Sequence, residues 1–250
     1  MEVHHHSHKP KNWKEYITEF IMLFAAVTLG FFAENVRESL SNREKERAII
    51  ESLKEDLTKD TAQLNYLINE YPTKISNWND SLHYLVEHKA INGNEGVIMQ
   101  ALNNCTIWEY YSPGEIALSL TQSTESMNLI ESKKLKKNLL DYRKNEKFFS
   151  EYLKFIVTTF QQTDTATLSV VDFKTYRNII GKSTLNNLYM TSENIPANIV
   201  FNTYDINIFK RHIRNIDNAN LKVVDLKTIY SMLLINEINI LNIIKEDYKN

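Results

Sequence analysis

The sequence predicts an all-α protein in which an N-terminal transmembrane helix continues into a long helix and is followed by an extramembrane helical bundle. Three observations carry that expectation. Gly and Pro number only 5 and 4 in 250 residues, too few for a chain with many turns. Residues 13–35, "WKEYITEFIMLFAAVTLGFFAEN", are apolar over a length that suits a membrane. The remainder repeats apolar residues at helical spacing. The boundaries that follow are 1–12 for a His-containing tail, 13–35 for the transmembrane helix, 36–71 for a long amphipathic helix and 72–250 for the helical extramembrane domain.

From Phe20 to Ala33 the chain carries no charge over 14 residues, and extending back to Tyr16 makes 18, with Glu19 inside. Eighteen helical residues rise about 27 Å, just short of a hydrocarbon core of about 30 Å. Trp13, Lys14 and Tyr16 at one end and Arg37 at the other are interfacial anchors that make up the difference. Glu19 sits one turn inside the Tyr16 edge, where its carboxylate reaches the headgroups. A cleaved signal fits less well, because Ala33 has Phe31 rather than a small residue two positions before it. A buried core helix is the other alternative. The length and the flanks favour an uncleaved span.

Glu19, Ala26, Gly30 and Ala33 are spaced by 7, 4 and 3 residues, so they share one helix face. Ala26 and Gly30 form a small-xxx-small pair of the kind that lets helices approach closely in lipid. This face is the expected membrane-span interface of a homo-oligomer. Lysines precede the span, and Arg37, Arg43, Lys45 and Arg47 follow it, so charge counts alone do not set the orientation. A short lysine-bearing N-terminus before an apolar run is the pattern of a signal-anchor. It predicts a single-pass protein of a bacterial inner membrane with the bulk of the chain in the periplasm.

No Gly or Pro occurs between Phe31 and Tyr71, so helix can run on for roughly 88 Å from Trp13. Ile50, Leu57, Leu64 and Tyr71 hold one heptad position and Leu53 and Leu67 the other, with Asp60 breaking the second series. Packing on the chain's own bundle accounts for this stripe more simply than a coiled coil does. Pro72 ends or kinks the helix. A second helix reads from Ile75 through Trp78, Leu82 and Leu85 or Val86 to the "INGNEG" turn. The "VIMQAL" segment leads to "SPGE" (residues 112–115), a helix entry. Helical spacing resumes through Ile116, Leu120, Met127 and Ile130, then Leu135, Leu139 and Tyr142. Phe148, Tyr152, Phe155, Ile156 and Phe160 make a further apolar stripe. Residues 163–203 read as loops with short helices. "YDINIFKRHIRNI" reads as a short helix and 221–248 as a long amphipathic one. The polar residues Asn236, Glu237, Asn239 and Asn242 argue against a second span in "MLLINEINILNII".

The quoted N-terminal segment, preceded by "MEVHHHSHK", resembles the start of an uncharacterised family of small Bacteroidetes membrane proteins with an AVTLGFFAE-type span. "YYSPGEIALSLTQSTESMNLIESKKLKKNLLDYRK" and "ILNIIKEDYK" are similar to further segments of that family. Its members often carry a Gly-containing turn before the Leu-Ile pair, which "STESMNLIES" lacks. The resemblance implies a single-span membrane protein with a mostly helical extramembrane domain and implies no activity. It also implies that "HHHSH" is native.

The chemistry-bearing residues point away from an enzyme. His4, His5, His6 and His8 have no second ligand type nearby to close a metal site. His83 and His88 are five apart and so off one helix face, unlike a zinc helix. Cys105 stands alone, without a basic partner in sequence, and reads as a buried thiol. No phosphate loop, dinucleotide fingerprint or nucleophile elbow occurs. A net charge of −2 gives no global attraction to nucleic acid, and the basic run "KKLKKNLLDYRKNEK" reads as a solvated helix face. Tyr110, Tyr111, Trp108 and Trp78 read as core aromatics. No cofactor is expected, and the expected partners are the lipid bilayer and either further copies of the chain or an envelope complex. The leading function is therefore a membrane-anchored, non-catalytic scaffold or interaction protein. The alternative is an oligomeric channel or ion-coupled component with Glu19 lining its interior.

Overall fold

The computed structural model describes residues 12–106, 109–167, 169–180 and 199–248. Helices are the regular elements throughout these residues: α1 (Trp13–Asn69), α2 (Tyr71–Glu87), α3 (Glu95–Thr106), α4 (Glu115–Gln122), α5 (Thr124–Leu129), α6 (Lys133–Thr167), α7 (Phe173–Ile180) and α8 (Ile206–Asp247). An all-α fold with a long N-terminal helix followed by a bundle is what the residue pattern predicts. The chain divides into two units, Met1–Glu51 and Ser52–Asn250. The histidine tail lies outside the described residues.

In the first unit α1 is exposed at every residue from Trp13 to Leu40, and burial begins only at Glu46 and Ile50.

The second unit is built on the pairing of α6 with α8. α2 packs on α3 and α8, α3 also reaches α6, and α4 lies against α5 and α6. Residues of α1 from Leu53 to Leu67 belong to this core: Leu53, Leu57 and Leu64 are wholly buried within the single chain. From Leu53 onward the heptad stripe is thus covered by the chain's own bundle. Pro72 lies in the first turn of α2. Lacking an N–H, it cannot bond the Ile68 carbonyl, and regular helix is interrupted at Glu70, just ahead of it. Gly93 sits at φ +85° in the turn before α3, a conformation side chains resist.

Three local expectations are revised. The segments 204–216 and 221–248 form one 42-residue helix, α8, instead of two. Nothing between them is Gly or Pro, and Phe209, Ile213, Ile216, Val223, Leu226 and Leu233 keep one buried face in register across the junction. That shared face outweighs the weak helix propensity of "DNAN". On α6, Phe148 and Phe155 are more than half exposed, whereas Phe149 and Ile156 are buried. The inward face runs Leu135, Leu139, Tyr142, Phe149 and Ile156, one helical position from the stripe read off the aromatics. The side chain of Phe160 lies outside the described residues. Finally, the turn in "STESMNLIES" needs no glycine: Ser123 caps α5, its hydroxyl accepting from the Ser126 N–H at 3.1 Å.

In 163–203, α6 runs on to Thr167 and α7 occupies Phe173–Ile180. An isolated antiparallel bridge pairs Val171 with Phe201. The Asp205 carboxylate accepts from Asn207 N–H at 2.8 Å and so starts α8.

Candidate functional site

Two features stand out, one in each unit. The first is the apolar stretch of α1. Its most apolar 18-residue window has a mean hydropathy of 1.8, carries at most two charges, and none of it is buried by the chain. Among the described residues it is the one helix long and apolar enough to cross a membrane. A helix in the chain's own core would be covered by it, and no residue of this window is. Trp13 is 76% exposed, and Phe20, Leu23, Phe24 and Phe31 are all more than 60% exposed. Phe20 and Phe24 stack on each other one turn apart, with ring centroids at 6.2 Å.

The residues expected at the span interface and its edges all lie on this helix. Glu19, Ala26, Gly30 and Ala33 share a face, and a Cβ built on Gly30 would meet nothing within 4 Å. Lys14 and Tyr16 lie within the first turn of the helix, and Arg37 lies past its apolar end. The Arg37 Nε donates to Glu34 Oε2 at 2.9 Å, a local pair on an exposed turn. Thr18 and Thr28 turn their hydroxyls back to the carbonyls of Lys14 and Phe24, at 2.9 and 2.8 Å. Both polar groups are thereby satisfied within the helix, as a nonpolar solvent demands.

The second feature is a polar centre inside the bundle. Residues 109–114 cross over α1 and are held through their backbone N–H groups, that of Ser112 donating to Gln63 Oε1 at 3.4 Å. Glu109 N–H donates to the Tyr71 hydroxyl at 3.1 Å, Tyr111 N–H to the Tyr230 hydroxyl at 3.3 Å, and Gly114 N–H to Asp60 Oδ2 at 2.8 Å. Asp56, one turn earlier on α1, accepts from Ile116 N–H at 3.1 Å. Asp56 and Asp60 thus supply, from a different helix, the acceptors that the first turn of α4 lacks. The approach is close enough to require glycine: a Cβ on Gly114 would lie 2.8 Å from Asp56 Oδ2 and 3.0 Å from Asp56 Cβ. The break that Asp60 makes in the heptad therefore has a purpose, since its carboxylate anchors this crossing.

At the heart of the centre is the Tyr111 hydroxyl. It lies 2.7 Å from Glu237 Oε1, 3.0 Å from the Tyr142 hydroxyl and 3.1 Å from Asp60 Oδ2. Its ring packs against Phe149 and, edge-on, against Tyr230, with centroids at 5.8 and 6.4 Å. Glu237 has no exposed surface, and its Oε2 meets no hydrogen-bond donor.

The three contacts call for one more proton than the phenols supply. Three oxygen–oxygen contacts converge on Tyr111, and the two phenols bring only two protons. A third proton, carried by one of the two carboxyls, serves the remaining contact. With both ionised, one contact has no proton and two carboxylates share a buried site. Burial accordingly pushes Glu237 up to about 8, with Asp60 adding to the rise and the Tyr111 bond opposing it. Asp60 is also held above its ordinary range by burial, but the Gly114 N–H and Tyr111 pull against that. Burial thus favours Glu237 over Asp60 as the carboxyl that keeps its proton. Burial raises Tyr111 and Tyr142 as well, so both remain neutral phenols.

The other titratable candidates are structural. Cys105 is buried, and its thiol is pushed up to about 12 chiefly by burial. His83 Nε2 lies 3.0 Å from Asp217 Oδ1, while His88 Nδ1 faces the Tyr84 carbonyl at 2.8 Å, so the two point to different partners. Among the described residues no group of three or more His, Cys, Asp or Glu side chains could hold a metal. Tyr111 is core, as expected; Tyr110 is half exposed, and Trp108 lies outside the described residues. Sequence reasoning noticed Asp60, Tyr111 and Glu237 separately, as a heptad break, a core aromatic and a polar interruption. Their convergence had no signal, because the contacts span 51 and 126 residues.

No family model matches the chain, and neither the curated proteins nor the solved structures contain a significant match.

Proposed function

We propose that the chain is a single-pass, membrane-anchored helical scaffold or interaction protein that assembles as a homo-oligomer or within an envelope complex. The observation that carries this reading is the 18-residue window of α1 at mean hydropathy 1.8 with no part buried. An apolar helix of that length left open to water would be strongly unfavourable, and a bilayer is the solvent that suits it. The internal satisfaction of Thr18 and Thr28 supports the same reading, and so does the placing of Trp13, Lys14 and Tyr16 at one end and Arg37 at the other. The common face of Glu19, Ala26, Gly30 and Ala33 is where a neighbouring span would pack. The signal-anchor pattern of a lysine-bearing segment followed by an apolar run supports an N-terminus in the bacterial cytoplasm and a periplasmic helical domain.

Alkaline carbonate extraction of bacterial membranes tests the anchor, with intact mass measured after detergent solubilisation. The full-length chain should remain in the pellet with residues 13–35 present. Release into the supernatant, or a mature chain that starts after Ala33, would sink the proposal. Protease digestion of spheroplasts tests the side: the helical domain should be cut without lysis.

A further inference from the structure

The second unit carries a cavity of about 310 Å³ between α2 and α8, well away from the Tyr111 centre in sequence. Its walls combine aliphatic side chains, among them Ile75, Val223 and Val224, with Asn79, Asp217 and Asn220. Asn79 and Ile75 lie one turn apart on α2, and the α8 residues fall within two turns. Helix periodicity therefore turns them to the same cleft.

The polar wall is incompletely paired. Asn79 Nδ2 donates to Asp217 Oδ1 at 2.8 Å, and His83 Nε2 lies 3.0 Å from the same oxygen. Both contacts converge on one carboxylate oxygen and hold Asp217 in place. Among the described residues Asn79 Oδ1 has no partner, and neither Oδ1 nor Nδ2 of Asn220 has one, although all three atoms are shielded from solvent. Native interiors rarely leave such groups unmet without a reason. The carbonyls of Asn79 and Asn220 and the Asp217 carboxylate accept, the Asn220 amide and the second N–H of Asn79 donate, and the Ser76 hydroxyl does either, so that the fixed charge of the cleft is the Asp217 carboxylate. No Lys or Arg lines the cavity. An anionic ligand would face the Asp217 carboxylate, whereas a primary ammonium brings three donors to it and to the asparagine carbonyls.

We propose that this cleft binds a small aliphatic primary amine, its ammonium held by Asp217 and the carbonyls of Asn79 and Asn220, and its hydrocarbon body against Ile75, Val223 and Val224. Asp217 supplies the charge and the asparagines the orientation. The valines and Ile75 supply the apolar contact that selects a branched or straight alkyl chain over a bare ammonium ion. The site lies wholly within the second unit and does not depend on how the first unit is anchored.

The test uses the full-length chain in lipid nanodiscs with methyl-labelled valine and three probes of one carbon skeleton: isoamylammonium, isoamyl alcohol and isovalerate. Isoamylammonium should shift the Val223 and Val224 methyl signals saturably, with an affinity at least tenfold above either of the other two. Asp217→Asn should lower the ammonium affinity tenfold or more and leave that of the alcohol unchanged. Should that variant fail to fold, Val224→Trp, which fills the cleft from an exposed position, should abolish the shifts with the spectrum of the core retained. Equal affinities for the three probes would reduce the cleft to a generic apolar crevice. The proposal also falls if the ammonium gives no saturable shift, or if its shifts survive unchanged in either variant.

Discussion

The Tyr111 hydroxyl and the Glu237 carboxyl lie 2.7 Å apart in the interior, and the rest of the bundle's polar chemistry is arranged around that contact. Glu237 is protonated there because burial holds it up to about 8, which makes stability depend on pH. A carboxyl raised above its ordinary value near 4.5 contributes fully below that value, and the contribution is lost as pH rises towards 8. His212, buried and lowered to about 4, works in the opposite sense below about 6.5. Between about 6.5 and 8 the Glu237 effect stands clear of it, and stability should fall by up to about 1.4 kcal/mol per pH unit. Urea unfolding of Glu237→Gln should show a shallower decline over that window, because glutamine donates without titrating. Parallel slopes in the two proteins would refute the assignment.

Tyr111→Phe keeps the ring against Phe149 and Tyr230 but removes the oxygen on which three contacts converge. Asp60, Tyr142 and Glu237 would each lose a partner, and unfolding free energy should drop by about 2–4 kcal/mol. Tyr84→Phe, at a mostly exposed position on α2, should change it by less than about 0.5 kcal/mol. Similar losses at both positions would mean that the hydroxyl network contributes little.

Gly114→Ala places a methyl group 2.8 Å from Asp56 Oδ2 and 3.0 Å from the Cβ and Cγ atoms of that residue. The Cβ cannot swing aside without moving α1, so the variant should lose about 1–3 kcal/mol. A paired Asp56→Ala substitution should recover part of the steric loss, measurable as a non-additive double-mutant cycle. Full additivity would show that the clash is not with Asp56.

Leu57 is wholly buried and Leu40 is mostly exposed on the same helix. Leu57→Ala should destabilise by about 2–5 kcal/mol, to the same extent at any protein concentration, since the stripe is covered within one chain. A cost that disappears on dilution would instead place Leu57 at a contact between copies.

Gly30→Ile introduces a side chain into open space within the chain, so the bundle's unfolding should be unaffected. On the proposed packing of spans, the same change should dissociate the oligomer in mild detergent, read by light scattering. An unchanged oligomer would remove the small-residue face from the proposal.

The sequence by itself determined the helical class, the uncharged run from Phe20 to Ala33 with its aromatic and basic edges, and the inward stripe of Leu57 and Leu64. These are local properties, set by spacing, propensity and transfer free energy, and each is visible within a few turns of helix. Tertiary structure decided what spacing leaves degenerate. On α6, Phe148 and Phe149 are equally apolar, and only the position of α8 selects Phe149 for the interior. Across "DNAN" a continuous buried face on α8 overrides a weak local preference. Asp60, Tyr111 and Glu237 become one site only because separations of 51 and 126 residues are closed by the fold. The proton on Glu237 follows from that closure, since an isolated glutamate in water would have none at neutral pH.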